Sequence, residues 1–202
     1  CGSRIFVEKS IYEKFKTALV SEVKKLKVGD PLHLDIDQGS VVSKLHFDKV
    51  MKCLSLASEE GGKIVFGGKA LQLPGENAEG YFIQPTLIEG LSNKSLTNQE
   101  EIFGPVATLI PFESIEEAIE LVNDSRYGLA ASVWTQNLST GHRVAAEIHT
   151  GIVWINSWML RDLRTPFGGV KESGVGREGG VDALRFFTES KTVCVSYEEG
   201  NL

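Results

Sequence analysis

The sequence has 202 residues, enough for one sizeable domain or two small ones. It contains 21 Lys and Arg against 27 Asp and Glu, so the formal net charge is −6. This charge argues against a nucleic-acid partner, which needs a cationic surface, and no apolar run approaches the roughly 18 residues of a membrane-spanning helix. Three cysteines form neither a disulfide framework nor a zinc spacing, which predicts a reducing compartment, the cytoplasm. The four histidines share no ligand spacing, so no metal site is expected.

The chain opens on Cys1, for which three explanations are open. It can be a lipidated cysteine, the nucleophile of an N-terminal-nucleophile amidohydrolase, or a residue at an arbitrary cut in a longer chain. Lipoproteins usually follow the lipidated cysteine with a polar tether, whereas here an apolar run begins at Ile5. The third explanation, a fragment, is therefore favoured.

The first predicted element is a helix over residues 10–27, whose apolar residues recur at the 3.6-residue period of one helix face. Ser10 and Glu13 have the spacing of a capping box, and Gly29 ends the helix. These signals predict an amphipathic helix near the start of the chain.

Helices and strands alternate along the rest of the sequence. In chain order we predict a helix over 43–60, a strand over 63–66, a loop over 68–80, an extended run over 82–87, a strand over 107–111, a helix over 114–127, a strand over 129–134, a helix over 140–148, a strand over 152–155, a glycine-rich loop over 166–180, a helix over 181–187 and a strand over 193–197. Ser114 and Glu117 form a second capping box. The alternation predicts an α/β fold with a mostly parallel sheet flanked by helices.

Residues 174–179 match the dinucleotide-binding pattern G-x-G-x-x-G. That loop binds phosphate because it joins a buried strand to a helix N-terminus. Residues 165–173 do not read as a strand, and no acidic residue follows a second strand about 20 positions later. We therefore interpret these glycines as residues that permit tight turns.

Residues 100–105 combine two carboxylates, an aromatic ring and a Gly-Pro turn. They can be simple turn residues between two strands. They can also form a ligand loop, in which a carboxylate accepts two ribose hydroxyls and the aromatic ring packs on a flat heterocycle.

Residues 156–169 follow a predicted strand, where α/β enzymes place ligand loops. Trp158 and Phe167 can line an apolar pocket, and Arg161 or Arg164 can hold a carboxylate through two parallel hydrogen bonds. The alternative is a surface loop with a local charge cluster. The residue types alone favour neither interpretation.

Several segments together resemble the C-terminal portion of the NAD(P)-dependent aldehyde dehydrogenase superfamily. They are residues 100–106 (EEIFGPV), 127–131 (YGLAA), Asn156, 166–169 (PFGG), 171–174 (KESG), 176–178 (GRE) and 188–191 (TESK). Their order and gaps match too, and the resemblance covers residues 2–197. It implies the family's catalytic-domain fold without most of the cofactor domain, an aldehyde substrate, and NAD as cofactor with NADP still open.

The resemblance implies that a cysteine thiolate attacks the aldehyde to give a thiohemiacetal, and that a glutamate later activates water. In the family this cysteine stands three residues before the glycine of the Gly-Ser-Arg segment, whereas Cys1 directly precedes Gly2. The nucleophile is therefore expected two residues upstream of Cys1, outside this chain, and Cys1 as the nucleophile is the less favoured alternative. The chain made alone is expected to be inactive.

Family roles carry over residue by residue. Glu101 matches the carboxylate that binds the nicotinamide ribose, Phe103 matches the aromatic beside the nicotinamide ring, and Phe167 matches a wall of the aldehyde pocket. Arg177 and Glu189 match an ion pair that ties the C-terminal helix to the rest of the fold.

The resemblance also implies that the chain has three parts. Residues 1–172 match the catalytic domain, residues 173–190 a tail that packs toward the cofactor domain, and residues 191–202 an oligomerisation strand with the C-terminus. An exposed edge strand needs a partner, so a homodimer or homotetramer of the full-length protein is expected.

Residues 158–165 are most similar, within the family, to 2-hydroxymuconic and 2-aminomuconic semialdehyde dehydrogenases. Their substrates carry a carboxylate far from the aldehyde. This similarity implies that Arg161 anchors the carboxylate and that Trp158 contributes to the pocket, in aromatic or tryptophan breakdown. The alternatives are a betaine, succinate or general aldehyde dehydrogenase, or a non-catalytic paralogue.

Overall fold

The computed structural model describes residues 2–196, so Cys1 and the end of the strand predicted over 193–197 lie outside the described residues. Contacts divide the chain into two compact units. The first comprises residues 2–126 with Ala146–Ile148, and the second comprises Tyr127–Ala145 with residues 149–196.

Most helices and strands lie where the sequence predicts them, but residues 4–8 and 96–99 form a strand and a helix that were not predicted, and short strands at 70–71 and 170–171 lie inside segments predicted to be loops. The elements are β1 (Arg4–Glu8), α1 (Tyr12–Val23), α2 (Lys44–Glu59), β2 (Lys63–Phe66), β3 (Ala70–Leu71), β4 (Phe82–Ile83), β5 (Thr86–Glu89), α3 (Leu96–Gln99), β6 (Val106–Phe112), α4 (Ile115–Asn123), β7 (Tyr127–Gly128), β8 (Ala130–Val133), α5 (Leu138–Glu147), β9 (Ile152–Ile155), β10 (Val170–Lys171) and α6 (Gly180–Phe187). The α/β fold is confirmed.

The first unit contains a four-stranded sheet in the order β1-β6-β5-β2. Strand β6 is parallel to both neighbours, with Arg4 opposite Thr108 on one side and Thr86 opposite Val106 on the other. Strand β2 runs antiparallel to β5 at the edge. The sheet is therefore mostly parallel with one antiparallel edge strand, a common arrangement in α/β proteins.

Helix α2 packs on the core of this unit. The Ser43 hydroxyl caps it by accepting the His46 backbone N–H at 3.2 Å. The buried cluster around it contains Val50, Leu54, Ala57, Ile83, Ile88, Leu91, Ile102 and Val106. Burying an aliphatic side chain of this size contributes about 1.5–3 kcal/mol. Because Ile102 belongs to the cluster, the same packing fixes the loop over residues 100–105.

Helix α1 differs from its prediction at both ends. The chain passes from β1 into a 3₁₀ turn over Lys9–Ile11, and the Ser10 hydroxyl donates to the Glu8 carboxylate at 2.6 Å. The capping box predicted there is wrong, because Ser10 lies inside this turn and not at the helix cap. After Val23 the backbone tightens into bonds between residues three apart, so the helix ends before Gly29.

The serine cap of α4 is confirmed, but the carboxylate of the predicted capping box bonds to the residue before the cap and not to Ser114 itself. The Ser114 hydroxyl accepts the Glu117 N–H at 3.2 Å, and the Glu117 carboxylate accepts the Glu113 N–H at 2.7 Å. The helix ends at Asn123, a few residues before the predicted boundary.

The second unit pairs β8 with β9 in parallel, with Ser132 opposite Trp154, and β7 with β10 antiparallel. Helix α6 buries none of its residues. Residues 193–196, the described part of the strand predicted over 193–197, are not a strand, and Val193 and Val195 are exposed. A strand needs a paired neighbour, which these residues lack among those described. The three-part division of the chain stays a prediction.

Tyr12 of α1 carries a pH-dependent contribution to stability. Its buried hydroxyl donates to Glu89 Oε2 at 3.3 Å, and burial followed by the Glu89 charge raises its pKa to about 12. The ordinary value is about 10, so the folded state holds this proton more tightly. The contribution is complete below pH ~10 and is lost as the pH rises toward ~12.

We expect Tyr12→Phe to flatten the alkaline decline of stability. The free energy of unfolding of the wild type should fall by about 2–3 kcal/mol more than that of the variant between pH ~10 and ~12. Urea denaturation at a series of pH values measures both slopes. Equal slopes would show that the Tyr12 proton is not held as described.

Candidate functional site

The loop over residues 100–105 presents two side chains to solvent. Ile102 is buried in the core, while Glu101 and Phe103 on either side of it are exposed. Phe103 has a φ of +60°, a costly backbone conformation for an aromatic residue, and 79% of its surface is exposed. Strained backbone of this kind clusters at ligand sites, which favours the ligand-loop interpretation over a simple turn.

Two side chains of α2 hold the backbone of this loop. His46 Nε2 donates to the Phe103 carbonyl and Lys49 Nζ donates to the Glu101 carbonyl, each at 2.6 Å. Sequence reasoning found no ligand spacing among the histidines and identified neither anchor. The available signal was their spacing, since residues three apart share one helix face. The loop can therefore offer a carboxylate to a diol and an aromatic face to a flat ring from a fixed backbone.

The start of β1 is anchored by Arg4, a second feature that sequence reasoning missed. Its guanidinium donates to the carbonyls of Leu121 at 3.3 Å and Val122 at 3.2 Å, and to Asn93 Oδ1 at 3.4 Å. Burial lowers the pKa of Arg4, and the charge of Asp124 partly offsets this. These contacts fix the strand that begins directly after Ser3.

In the second unit the segment after β9 is held in a defined conformation. Asn156, with a φ of +50°, accepts the Thr135 N–H at 2.9 Å and donates to the Thr135 carbonyl at 2.7 Å. The buried Trp154 donates its indole N–H to the Leu160 carbonyl at 2.7 Å. Its ring lies 5.2 Å from the Trp158 ring. Trp158 thus packs on Trp154 while 48% of its surface is exposed, and its place in a substrate pocket stays a prediction.

The structure brings Arg161 and Phe167 together. The Arg161 guanidinium carbon lies 4.1 Å from the centre of the Phe167 ring, within cation–π range. Arg161 Nη2 also donates to Glu178 Oε1 at 2.5 Å. Sequence reasoning did not identify Glu178 as a partner.

Arg164, the other arginine of the segment, is occupied locally. Its Nε and Nη2 donate to the two carboxylate oxygens of Asp162 at 2.9 and 2.5 Å, which lowers the pKa of Asp162. Its side chain is 88% exposed. Of the two candidate cations, only Arg161 lies against an aromatic ring of the predicted pocket.

The ion pair between Arg177 and Glu189 is not formed among the described residues. Arg177 Nη1 donates instead to the carbonyls of Gly169 at 2.7 Å and Gly176 at 2.8 Å. Residues 188–196 form no helix or strand and are exposed, Glu189 among them, so the packing that would bring Glu189 to Arg177 is missing from this segment. Arg177 thereby stabilises the glycine-rich loop, and the G-x-G-x-x-G pattern at residues 174–179 follows the two-residue antiparallel strand β10 and not the buried strand of a dinucleotide site.

No helix within residues 2–196 is long and apolar enough to cross a membrane. Over the same residues, no group of three or more His, Cys, Asp or Glu side chains is placed to hold a metal ion. Cys53 and Cys194 are free thiols.

Comparison with known proteins identifies the family. The aldehyde dehydrogenase family profile matches residues 1–193. The chain belongs to the aldehyde dehydrogenase family. Within it, the chain is 45% identical over 98% of its length to a 2-aminomuconic 6-semialdehyde dehydrogenase of Pseudomonas sp.. It is 46% identical over 98% to the human 2-aminomuconic semialdehyde dehydrogenase, and 46% identical over 95% to a 2-hydroxymuconic semialdehyde dehydrogenase of Pseudomonas sp. strain CF600.

The chain spans 40%, 41% and 40% of these three relatives. Solved structures of the family agree in fold. A betaine aldehyde dehydrogenase of Staphylococcus aureus in complex with NAD+ matches with a TM-score of 0.88 and 40% identity, over 94% of this chain and 38% of that one. An NAD+ complex of a Bacillus cereus aldehyde dehydrogenase matches with a TM-score of 0.89 and 41% identity, over 98% and 39%.

Proposed function

We propose that this chain is part of an NAD-dependent dehydrogenase that oxidises a carboxylate-bearing semialdehyde of the 2-aminomuconic or 2-hydroxymuconic type to the acid. The observation that carries the substrate class is the Arg161 guanidinium, held against Phe167 in the segment after β9. An arginine binds a carboxylate through paired, charge-assisted hydrogen bonds. Relatives with muconic semialdehyde dehydrogenase names support the same class.

The residues of the 100–105 loop fit the nicotinamide half of NAD. Glu101 has an exposed carboxylate whose two oxygens can accept ribose hydroxyls, and Phe103 presents an exposed ring beside it. When bound, NAD supplies the acceptor for the hydride that leaves the aldehyde carbon. In our proposal Glu101 orients the ribose and Phe103 limits the position of the ring, while His46 and Lys49 hold the loop.

The nucleophile of the proposed reaction is a cysteine two positions upstream of Cys1. Its thiolate attacks the aldehyde carbon, and water later releases the acid. The Ser3 carbonyl accepts the Thr108 N–H at 2.8 Å, and Arg4 is anchored as described above. The backbone is thus fixed from Ser3, four residues after the proposed nucleophile, which supports a constant position for the attacking sulfur.

We further propose that the natural-length protein is a homodimer or homotetramer in the cytoplasm. The exposed Val193 and Val195 support the assembly, because an apolar segment of this kind is expected to pair with another chain. The free thiols Cys53 and Cys194 support a reducing compartment.

The proposed function is tested by measuring NADH formation with the natural-length protein. We expect 2-aminomuconic or 2-hydroxymuconic semialdehyde to be oxidised with a higher kcat/KM than betaine aldehyde or propanal. Replacing the cysteine two positions before Cys1 with serine should abolish the signal with every aldehyde. A preference for betaine aldehyde, a cation, would contradict the substrate class, and no NADH from any aldehyde would favour a non-catalytic paralogue.

A further inference from the structure

Arg161 carries a counterion from its own chain. Arg161 Nη2 donates to Glu178 Oε1 at 2.5 Å while the guanidinium lies over the Phe167 ring. The group proposed to hold a substrate carboxylate therefore has a carboxylate partner within its own chain. A substrate must either share this guanidinium with Glu178 or replace it.

The backbone sets this arrangement. The Phe167 N–H donates to the Glu178 carbonyl at 2.8 Å, and the Glu178 N–H donates to the Phe167 carbonyl at 2.7 Å. Residues that face each other in such an antiparallel bridge project their side chains to the same side. The ring and the carboxylate consequently flank Arg161 together, at a position that the bridge determines.

The two partners of the ion pair differ in exposure. The Arg161 side chain is 28% exposed, whereas that of Glu178 is 63% exposed. Arg161 also has N–H donors beyond the one that Glu178 accepts. Since a partly exposed ion pair is weak, the Glu178 carboxylate can turn to solvent at little cost while the ring and the packed side chain keep Arg161 in place.

We propose that Glu178 is a specificity-determining counterion, whose carboxylate occupies Arg161 until the carboxylate of a substrate replaces it. Neutral aldehydes leave the ion pair intact and gain nothing from the cation. Acidic ligands gain an ion pair with the Arg161 guanidinium but must compete with Glu178 for it. For the identity of the substrate this inference rests on the proposed function, but the exchange itself requires only a ligand with a carboxylate.

The test measures the binding of adipate, a six-carbon dicarboxylate, to the natural-length protein by calorimetry. Glu178→Gln removes the competing charge with little change of shape, so the Kd for adipate should fall about fivefold, as a partly exposed ion pair supports. Glu178→Asp keeps the charge on a shorter side chain and should give an intermediate Kd. Glu79→Gln, at an exposed glutamate of the other unit, controls for net charge and should leave the Kd unchanged.

A double variant tests whether Arg161 is the group that binds the adipate carboxylate. Arg161→Met with Glu178→Gln should bind adipate far more weakly than Glu178→Gln alone. An unchanged or raised Kd in Glu178→Gln overturns the inference, as does absence of adipate binding in both the wild type and Glu178→Gln. Near-UV circular dichroism of the Trp154 and Trp158 pair reports whether each variant keeps the fold. If Glu178→Gln does not fold, the Kd of Glu178→Asp is compared with that of the wild type instead.

The proposed function and this inference can be refuted independently of each other. A protein that forms no NADH yet shows the fivefold change in adipate affinity supports the counterion role without the reaction. A protein that oxidises the semialdehyde but shows no change in affinity overturns the counterion role alone.

Discussion

Replacing Gly151 with alanine should strongly destabilise the second unit. Gly151 lies between α5 and β9, where a Cβ would stand 1.6 Å from the Gly168 carbonyl oxygen and 2.7 Å from its carbon. Both are backbone atoms, so no side-chain rotation can relieve the overlap. We expect a loss of about 3 kcal/mol or more in the free energy of unfolding, as for severe overpacking.

The effect should reach the candidate pocket, because Gly168 directly follows Phe167. Any shift of this segment moves the ring that supports Arg161 and strains the bridge from Phe167 to Glu178. Urea denaturation measures the loss, and Gly2→Ala is the matched control because no atom lies within 4 Å of its Cβ. The control should stay within about 0.5 kcal/mol of the wild type. Equal midpoints for the two variants would contradict the close packing of Gly151.

Elements with complete local signals were predictable from the sequence. Helix α2 has a serine cap, an apolar period and a glycine pair after it, and it forms within a residue of the predicted bounds. The failure at Ser10 has a physical cause. A capping box requires the serine to precede the first turn, but the path of the chain from β1 places it inside a 3₁₀ turn. The sequence pattern does not encode that path.

The residues of the candidate site could be predicted from their types, but the contacts between their side chains could not. Glu101, Phe103 and Arg161 stand out because carboxylates, aromatics and arginines in loops suit ligands. The Glu178 contact depends on the backbone bridge between Phe167 and Glu178, two residues that no periodic pattern in the sequence marks as paired. Likewise the ion pair implied for Arg177 requires the tail to pack, and the described tail does not.

Replacing Arg161 with alanine should lower kcat/KM for the carboxylate-bearing semialdehyde about 100-fold in the natural-length protein. Removing one partner of a charge-assisted pair costs about 2–5 kcal/mol. Because Arg161 is 28% exposed, the lower part of that range applies. The loss should appear mainly as a raised KM, since the carboxylate is bound equally in ground and transition states. A neutral aldehyde such as propanal should be oxidised almost as before.

Arg164→Ala is the matched control, since this arginine lies in the same segment but is 88% exposed and paired with Asp162. This variant should keep the wild-type kcat/KM for both substrates. A loss as large as that of Arg161→Ala would show that Arg161 is wrongly assigned as the anchor. Equal losses of Arg161→Ala on acidic and neutral aldehydes would refute the anchor. If Glu178 acts only through Arg161, Glu178→Gln should lower the KM for the acidic substrate in the wild type and have no effect when Arg161 is already alanine.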